Sequence, residues 1–151
     1  MKVLILGASG FLGGTLYKKM KEETDFWVLG TYFESKKDKE LIKLNVTNLI
    51  EVKTFLEHFN PEIIVWCLLG KTNEKELIEK GLSNVLNTIN QTCKFIFMSI
   101  NAGFSEADIS SCKVNELLET IIKLIKSDYK GIVHLGPEII LDTSLNGPLV
   151  Q

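Results

Sequence analysis

The chain has 151 residues, 45% of them apolar and 24% charged, with a formal net charge of −2 at pH 7. That length suits one domain, residues 1–151, with a substantial core, and the balance is that of an ordinary globular protein. The slight acidic excess gives no electrostatic reason to expect nucleic acid as a partner, and no apolar run approaches the roughly 20 residues of a membrane-spanning helix.

Strand-like and helix-like segments alternate from end to end. Val3–Leu6 reads as a first strand, and it begins directly after Met1-Lys2, unlike a signal peptide. It breaks into Gly7-Ala8-Ser9-Gly10-Phe11-Leu12-Gly13-Gly14, three glycines at three-residue spacing ahead of a helical pattern over Phe11–Lys21 with Leu12, Leu16 and Met20 on one side. Each glycine has a physical task in a strand–turn–helix that holds a dinucleotide pyrophosphate. Gly7 permits the tight turn, Gly10 lets the backbone approach the phosphates, and Gly13 lets the helix pack closely on the strand. The helix N-terminus then offers unpaired N–H groups to the anion.

Phe26–Tyr32 is a second strand and Leu41–Asn45 a short third. Asn48 with Glu51 three residues on begins a helix whose apolar face carries Val52, Phe55 and Leu56. Pro61 ends the next turn, and Ile63–Leu69 is a continuous apolar strand suited to burial on both faces. Glu74–Asn90 reads as a helix, Lys94–Ser99 as strand five, Val114–Lys126 as a helix with Ser105 and Asp108 resembling its cap, and Gly131–Leu135 as strand six. The pattern of 136–151 assigns it to no element. The alternation predicts an α/β fold: a Rossmann-like, doubly wound parallel sheet of about six strands in three α/β/α layers.

All 17 basic residues are lysine, so anions must be met by point charges or backbone N–H groups rather than a bidentate guanidinium. Genome composition accounts for that bias without a functional reason. Cys67, Cys93 and Cys112 are odd in number, widely separated and without metal-ligand spacing, which points to a reducing cytoplasm and to no metal site. Cys112 beside Lys113 reads first as a buried structural thiol, His134 as a core histidine, and His58 as a helix-end cation. Lys18, Lys19 and Lys21 form a solvated helix face, with Lys18 near the phosphate loop.

These landmarks together resemble the extended short-chain dehydrogenase/reductase superfamily, in particular its dTDP-4-dehydrorhamnose reductase-like, sugar-nucleotide-modifying branch. The resemblance runs through Gly7–Gly13, Leu44-Asn45-Val46-Thr47, Asn60–Val65, Asn84-Val85 with Thr88, Phe95–Ser99, and Lys113 leading into Asn115-Glu116. It implies that Gly7, Ser9, Gly10, Phe11, Leu12 and Gly13 cradle the pyrophosphate, that Asn45 and Val46 border the adenine, and that Thr31 and Leu68 lie beside the cofactor. It also implies that Lys113 holds the nicotinamide ribose. The cofactor implied is NAD or NADP. Thr31 and Glu34 stand near the position that chooses between them, with Lys36 and Lys37 following, and the choice stays open.

The family's chemistry uses a tyrosine four residues before the lysine, whose charge eases proton transfer as hydride moves. That position here is Ile109, and the family's Ser or Thr after Ser99 is Ile100. Isoleucine does no proton chemistry, so Lys113 is the only matching catalytic position. Tyr17–Lys21 and Tyr32–Lys36 repeat the bare spacing in other places, as chance allows in so lysine-rich a chain. Cys67-Leu68-Leu69 replaces the family's small alanines and is expected to narrow the nicotinamide end, while the family's substrate-side loop and C-terminal substrate region are short or missing.

The expectation is a dinucleotide-binding protein with impaired or lost catalysis. Three alternatives stand beside it. One is an active oxidoreductase or epimerase on a nucleotide-sugar, using Lys113 with Ser110, Ser111, water or a partner as acid–base. Another is a non-catalytic scaffold or regulatory subunit, and a third is a shortened form of a longer enzyme. The resemblance further suggests a homodimer through the helices Glu74–Asn90 and Val114–Lys126.

Overall fold

The computed structural model describes residues 1–33, 40–68, 74–89, 92–98, 112–129 and 131–135, with 74, 112–115, 134 and 135 described by backbone alone. The elements in chain order are β1 (Lys2–Leu6), α1 (Phe11–Glu23), β2 (Trp27–Tyr32), β3 (Ile42–Lys43), α2 (Leu49–Phe59) and β4 (Ile63–Trp66). Then come α3 (Glu74–Glu76), a π-helical stretch (Leu77–Leu82), α4 (Ser83–Thr88), β5 (Lys94–Met98), α5 (Cys112–Lys126) and β6 (Ile132–Leu135). Every strand pairing is parallel, and the sheet order is β3-β2-β1-β4-β5-β6. This is the doubly wound Rossmann arrangement, with its direction of winding reversed between β1 and β4.

Both faces of the sheet are covered, which is why β4 is apolar at every position and β1 from Val3 onward. Val3, Ile5, Ile63, Val65, Ile96 and Met98 face one core with Leu12, Leu16 and Met20 of α1 and Leu117, Leu118 and Ile121 of α5. Leu4, Leu6, Ile64, Trp66 and Phe95 face the other with Val52, Leu56 and Phe59 of α2 and Val85 of α4.

Three of the boundaries that differ from the sequence reading bear on the site. The third strand shrinks from Leu41–Asn45 to Ile42–Lys43. It is an edge strand, and Asn45 turns the chain away, its Oδ1 accepting from Thr47 N (3.1 Å) and Thr47 Oγ1 (2.7 Å). The fourth strand ends at Trp66 rather than Leu69, because its partner β1 stops opposite it at Leu6. The helix expected over Glu74–Asn90 is divided by the π-helical stretch and ends at Thr88. Gly81, within that stretch, packs against Val46 and Trp66 so closely that a Cβ would stand 2.8 Å from Val46 Cγ2 and 3.3 Å from Trp66 Cη2. Asn48 caps α2 as its spacing implied, its side chain accepting from the N–H groups of Ile50 and Glu51 at 3.1 and 3.2 Å.

A single lysine closes the far end of the sheet. Lys94 opens β5 and is only 3% exposed. Its ammonium donates to the carbonyls of Leu124, Ile125 (3.2 Å) and Ser127 (2.8 Å), at the end of α5 where carbonyls lack intrahelical donors. The helix dipole favours a cation there as well. Lys94→Met leaves those buried carbonyls short of a donor and is expected to lower stability by about 2–3 kcal/mol. Lys75→Met, which removes an exposed pair to Glu79 at 4.0 Å, is expected to leave the urea midpoint nearly unchanged. Urea denaturation of both variants checks the contrast.

Candidate functional site

The carboxyl ends of β1 and β4 meet where the winding reverses, and the chain is tightest there. Gly7 follows β1 with φ +87°, a region that side chains rarely adopt. A Cβ on Gly7 would stand 2.9 Å from Cys67 C, Cys67 O and Leu68 N, so the backbone leaving β4 also excludes a side chain. Gly13, in the first turn of α1, lies so near that a Cβ would be 2.3 Å from Gly7 O and 3.1 Å from Cys67 Cβ. These contacts seat the start of α1 directly over the end of β1.

The N-terminus of α1 is open. Gly10 is the N-cap with extended backbone and makes no side-chain cap, and the first turn holds no acidic residue. Gly10 N donates back to Gly7 O (3.1 Å), and the helix's own bonding begins with Gly14 N to Gly10 O (2.8 Å). The N–H groups of Phe11, Leu12 and Gly13 therefore lie in the turn where no intrahelical acceptor exists. With the positive end of the helix dipole, they form a ready seat for an anion. The capped start of α2 offers the contrast.

The remaining residues singled out in the sequence fall in distinct places. Leu12 has its side chain in the core, so its backbone N–H is what it can present to a ligand. Thr31 is 2% exposed, and its hydroxyl accepts from Gly7 N at 3.4 Å while its carbonyl accepts from Ala8 N at 2.8 Å. It braces the glycine loop from β2. Ser9, Gly10 and Phe11 line a cleft of about 400 Å³ with Gly14, Thr15 and Lys18. Asn45, Val46 and Leu68 line a second cavity of about 210 Å³ with Phe33, Thr47 and Glu76. Asn84 Nδ2 donates to Val46 O at 3.0 Å and ties α4 to the turn after β3. The backbone of Lys113 lies in the first turn of α5. Glu34, Lys36, Lys37, Leu69, Ser99, Ile100, Ser105, Asp108, Ile109, Ser110 and Ser111 lie outside the described residues, as does 136–151.

Among the described residues, Tyr17, Lys21 and Cys67 carry shifted ionisation. Tyr17 and Lys21 do meet: Lys21 Nζ donates to Tyr17 Oη at 3.3 Å, and both donate to the Glu40 carboxylate, Tyr17 from 3.2 Å. Burial raises the Tyr17 phenol above its ordinary range, the wrong direction for a proton donor near neutrality, so the cluster is a brace between α1 and the approach to β3. Sequence spacing alone carried no signal for Glu40 as the third member. Burial also pushes the Cys67 thiol from 9.0 up to about 12. Cys67 and Cys93 are both buried thiols.

Two measurements test this corner. Gly13→Ala forces Gly7 or α1 to move and is expected to destabilise the fold by about 1–3 kcal/mol in urea denaturation. The Cys67 thiol is expected to resist alkylation by iodoacetamide at pH 8 in the native protein and to react once it is unfolded. Because its pKa is higher folded than unfolded, its contribution to stability is present below pH 9.0 and is lost as pH rises towards about 12.

The chain is similar to several known proteins. Over 88 residues it is 30% identical to methionine adenosyltransferase 2 subunit beta of Xenopus laevis, a match covering 58% of this chain and 26% of that protein. The chain thus spans about a quarter of the length of the curated relatives it matches. Among solved structures, a hypothetical dTDP-4-dehydrorhamnose reductase from Sulfolobus tokodaii superposes with a TM-score of 0.64 at 16% identity, over 99% of this chain and 85% of that one. The UDP-glucose 4-epimerase of Thermus thermophilus, solved with NAD, gives 0.60 at 16% identity, over 90% of this chain and 54% of that one. At such identities these two structures speak for the fold. The NAD dependent epimerase/dehydratase family matches residues 3–110, the span from β1 through β5 that includes the glycine turn and both cavities, and the chain belongs to that family.

Proposed function

We propose that this protein binds a nicotinamide dinucleotide through Gly7, Ser9, Gly10, Phe11, Leu12 and Gly13, and that its redox chemistry is impaired or lost. The observation that carries the reading is the uncapped N-terminus of α1, held against β1 by the Gly7–Gly13 contact, where Phe11, Leu12 and Gly13 can donate to a pyrophosphate. Thr31 supports the loop from below. The turn Asn45–Val46 with Leu68 forms the wall on the adenosine side, and Lys113 serves the nicotinamide ribose. Bound there, the dinucleotide supplies hydride transfer; the chain's own residues bind and orient it.

Catalytic impairment rests on Ile100 and Ile109, hydrocarbon side chains where proton chemistry is needed. A regulatory or partner-subunit role gains support from the matched relative, which is itself named as a subunit of another enzyme. A cytoplasmic setting agrees with Cys67 and Cys93 standing as buried thiols. Among the described residues no helix is long and apolar enough to cross a membrane. A nucleotide-sugar partner and a homodimer through the helical faces of α3–α4 and α5 belong to the same reading.

Calorimetric and fluorescence titration with NADH and NADPH is expected to show saturable binding of at least one below about 1 mM. Failure of both overturns the proposal. The same protein is expected to leave a nucleotide-linked keto-sugar unreduced. Turnover that disappears in Lys113→Ala would instead establish an active oxidoreductase.

A further inference from the structure

A third cavity, of about 390 Å³, lies at the other end of the sheet from the glycine turn, beside the amino end of β4. Its volume falls within the ~300–1,000 Å³ typical of small-molecule sites. Leu56 and Glu57 of α2, Asn60 and Pro61 of the turn into β4, and Thr88 and Ile89 at the end of α4 are among its lining residues. None of these belongs to the proposed dinucleotide cradle. Leu56 and Pro61 are buried and Ile89 is half-buried, whereas Glu57 and Asn60 are exposed. That gradient suits a ligand with an apolar stem and one polar end.

The electrostatics of the cavity are one-sided. Its described lining residues include the Glu57 carboxylate and no basic side chain. Lys53 stands one helical turn before Glu57, yet among the described residues Glu57 forms no ion pair. Two helical runs also end here, α2 at Phe59 and the run from Glu74 through α4 at Thr88. Their last carbonyls lack intrahelical donors and carry the negative ends of both dipoles. The capping amides are already engaged, Asn60 N with Leu56 O at 2.8 Å and Ile89 N with Val85 O at 3.0 Å. Thr88 Oγ1 donates to Asn84 O at 2.7 Å, so what the hydroxyl has left is its lone pairs. Acceptors therefore outnumber donors around the cavity.

We propose that this cavity binds a small primary ammonium ion carried on an apolar stem. An ammonium has three donors and no acceptor, which complements the Glu57 carboxylate, the Thr88 hydroxyl and the helix-end carbonyls. The stem lies against Leu56, Pro61 and Ile89. A carboxylate or phosphate on the same stem meets Glu57 and two negative helix ends, and is rejected on charge. A neutral alcohol brings one donor and no charge, so it gains the apolar contact alone. This site stands independently of the dinucleotide reading, because it shares no residue with the glycine turn.

The probe is n-hexylammonium chloride, titrated into the full isotope-labelled chain and followed by amide chemical shifts, with 1-hexanol and hexanoate as matched comparisons. Wild type is expected to show saturable shifts at Glu57, Asn60, Thr88 and Ile89 with a Kd below about 10 mM. 1-Hexanol is expected to bind about fivefold more weakly or worse, and hexanoate to give no saturable shift there. Glu57→Gln is expected to weaken hexylammonium about threefold and Glu57→Lys about tenfold, with 1-hexanol unaffected in both. Glu57 is exposed, so both variants are expected to fold, and unchanged 1-hexanol binding verifies that the cavity survives. A wild type without saturable shifts in that range, shifts gathered away from these residues, or equal affinity for the alcohol overturns the proposal. So does a preference for the ammonium that survives Glu57→Lys.

Discussion

Everything distinctive in this molecule depends on one close approach, that of the first turn of α1 to the end of β1. With Gly13 set over Gly7 O, and Gly7 set against the backbone leaving β4, the helix can start where the strand stops. No side chain larger than hydrogen fits at either place. The open amides at the start of α1 point into the crevice because this contact fixes where the helix begins. The same contact aligns Leu12, Leu16 and Met20 with the core beneath. Packing and the open helix N-terminus are therefore two outcomes of a single steric constraint.

Around that point the fold closes its ends with polar groups placed against exposed backbone. Asn48 satisfies the first amides of α2, Asn84 reaches the Val46 carbonyl, and Lys94 gathers the last carbonyls of α5. Each ties a helix terminus or a turn to a neighbouring part of the fold, and buried backbone groups left without partners would cost more than these contacts contribute. The start of α1, unlike that of α2, carries no side-chain cap. Its lack of a cap is useful only if an anion from outside the chain supplies the acceptor, which is why the site and the fold have to be considered together.

Membership in the NAD dependent epimerase/dehydratase family accords with that arrangement. On the proposed reading, the family's proton-donating positions fall in the sequence at Ile100 and Ile109. Tyr17, which meets Lys21, has its phenol raised by burial and engages Glu40, so its contact braces the fold. Binding and chemistry are separable in this architecture because the phosphate seat is built from backbone amides near the sheet's switch point, whereas proton transfer depends on particular side chains further along the chain.

Much of the architecture was legible in the order of residues. Continuous apolar strands such as Ile63–Trp66 announce burial on both faces, the glycine spacing after Leu6 announces a strand–turn–helix, and Asn48 announces a cap, because each is a local pattern with a local cause. What escaped depended on partners distant in the chain. The early end of β4 follows from where β1 stops, and the break in the helix after Glu76 accompanies the packing of Gly81 on Trp66 and Val46. Glu40 joins Tyr17 and Lys21 from 23 and 19 residues away. Leu68 comes to line a cavity with Phe33, Val46 and Glu76. Residue order was enough to set the alternation of elements and the glycine turn, since periodicity and backbone freedom are properties of neighbouring residues. Which side chains share a cavity was settled in three dimensions, because helices and strands from far apart in the chain have to be brought together before those side chains meet.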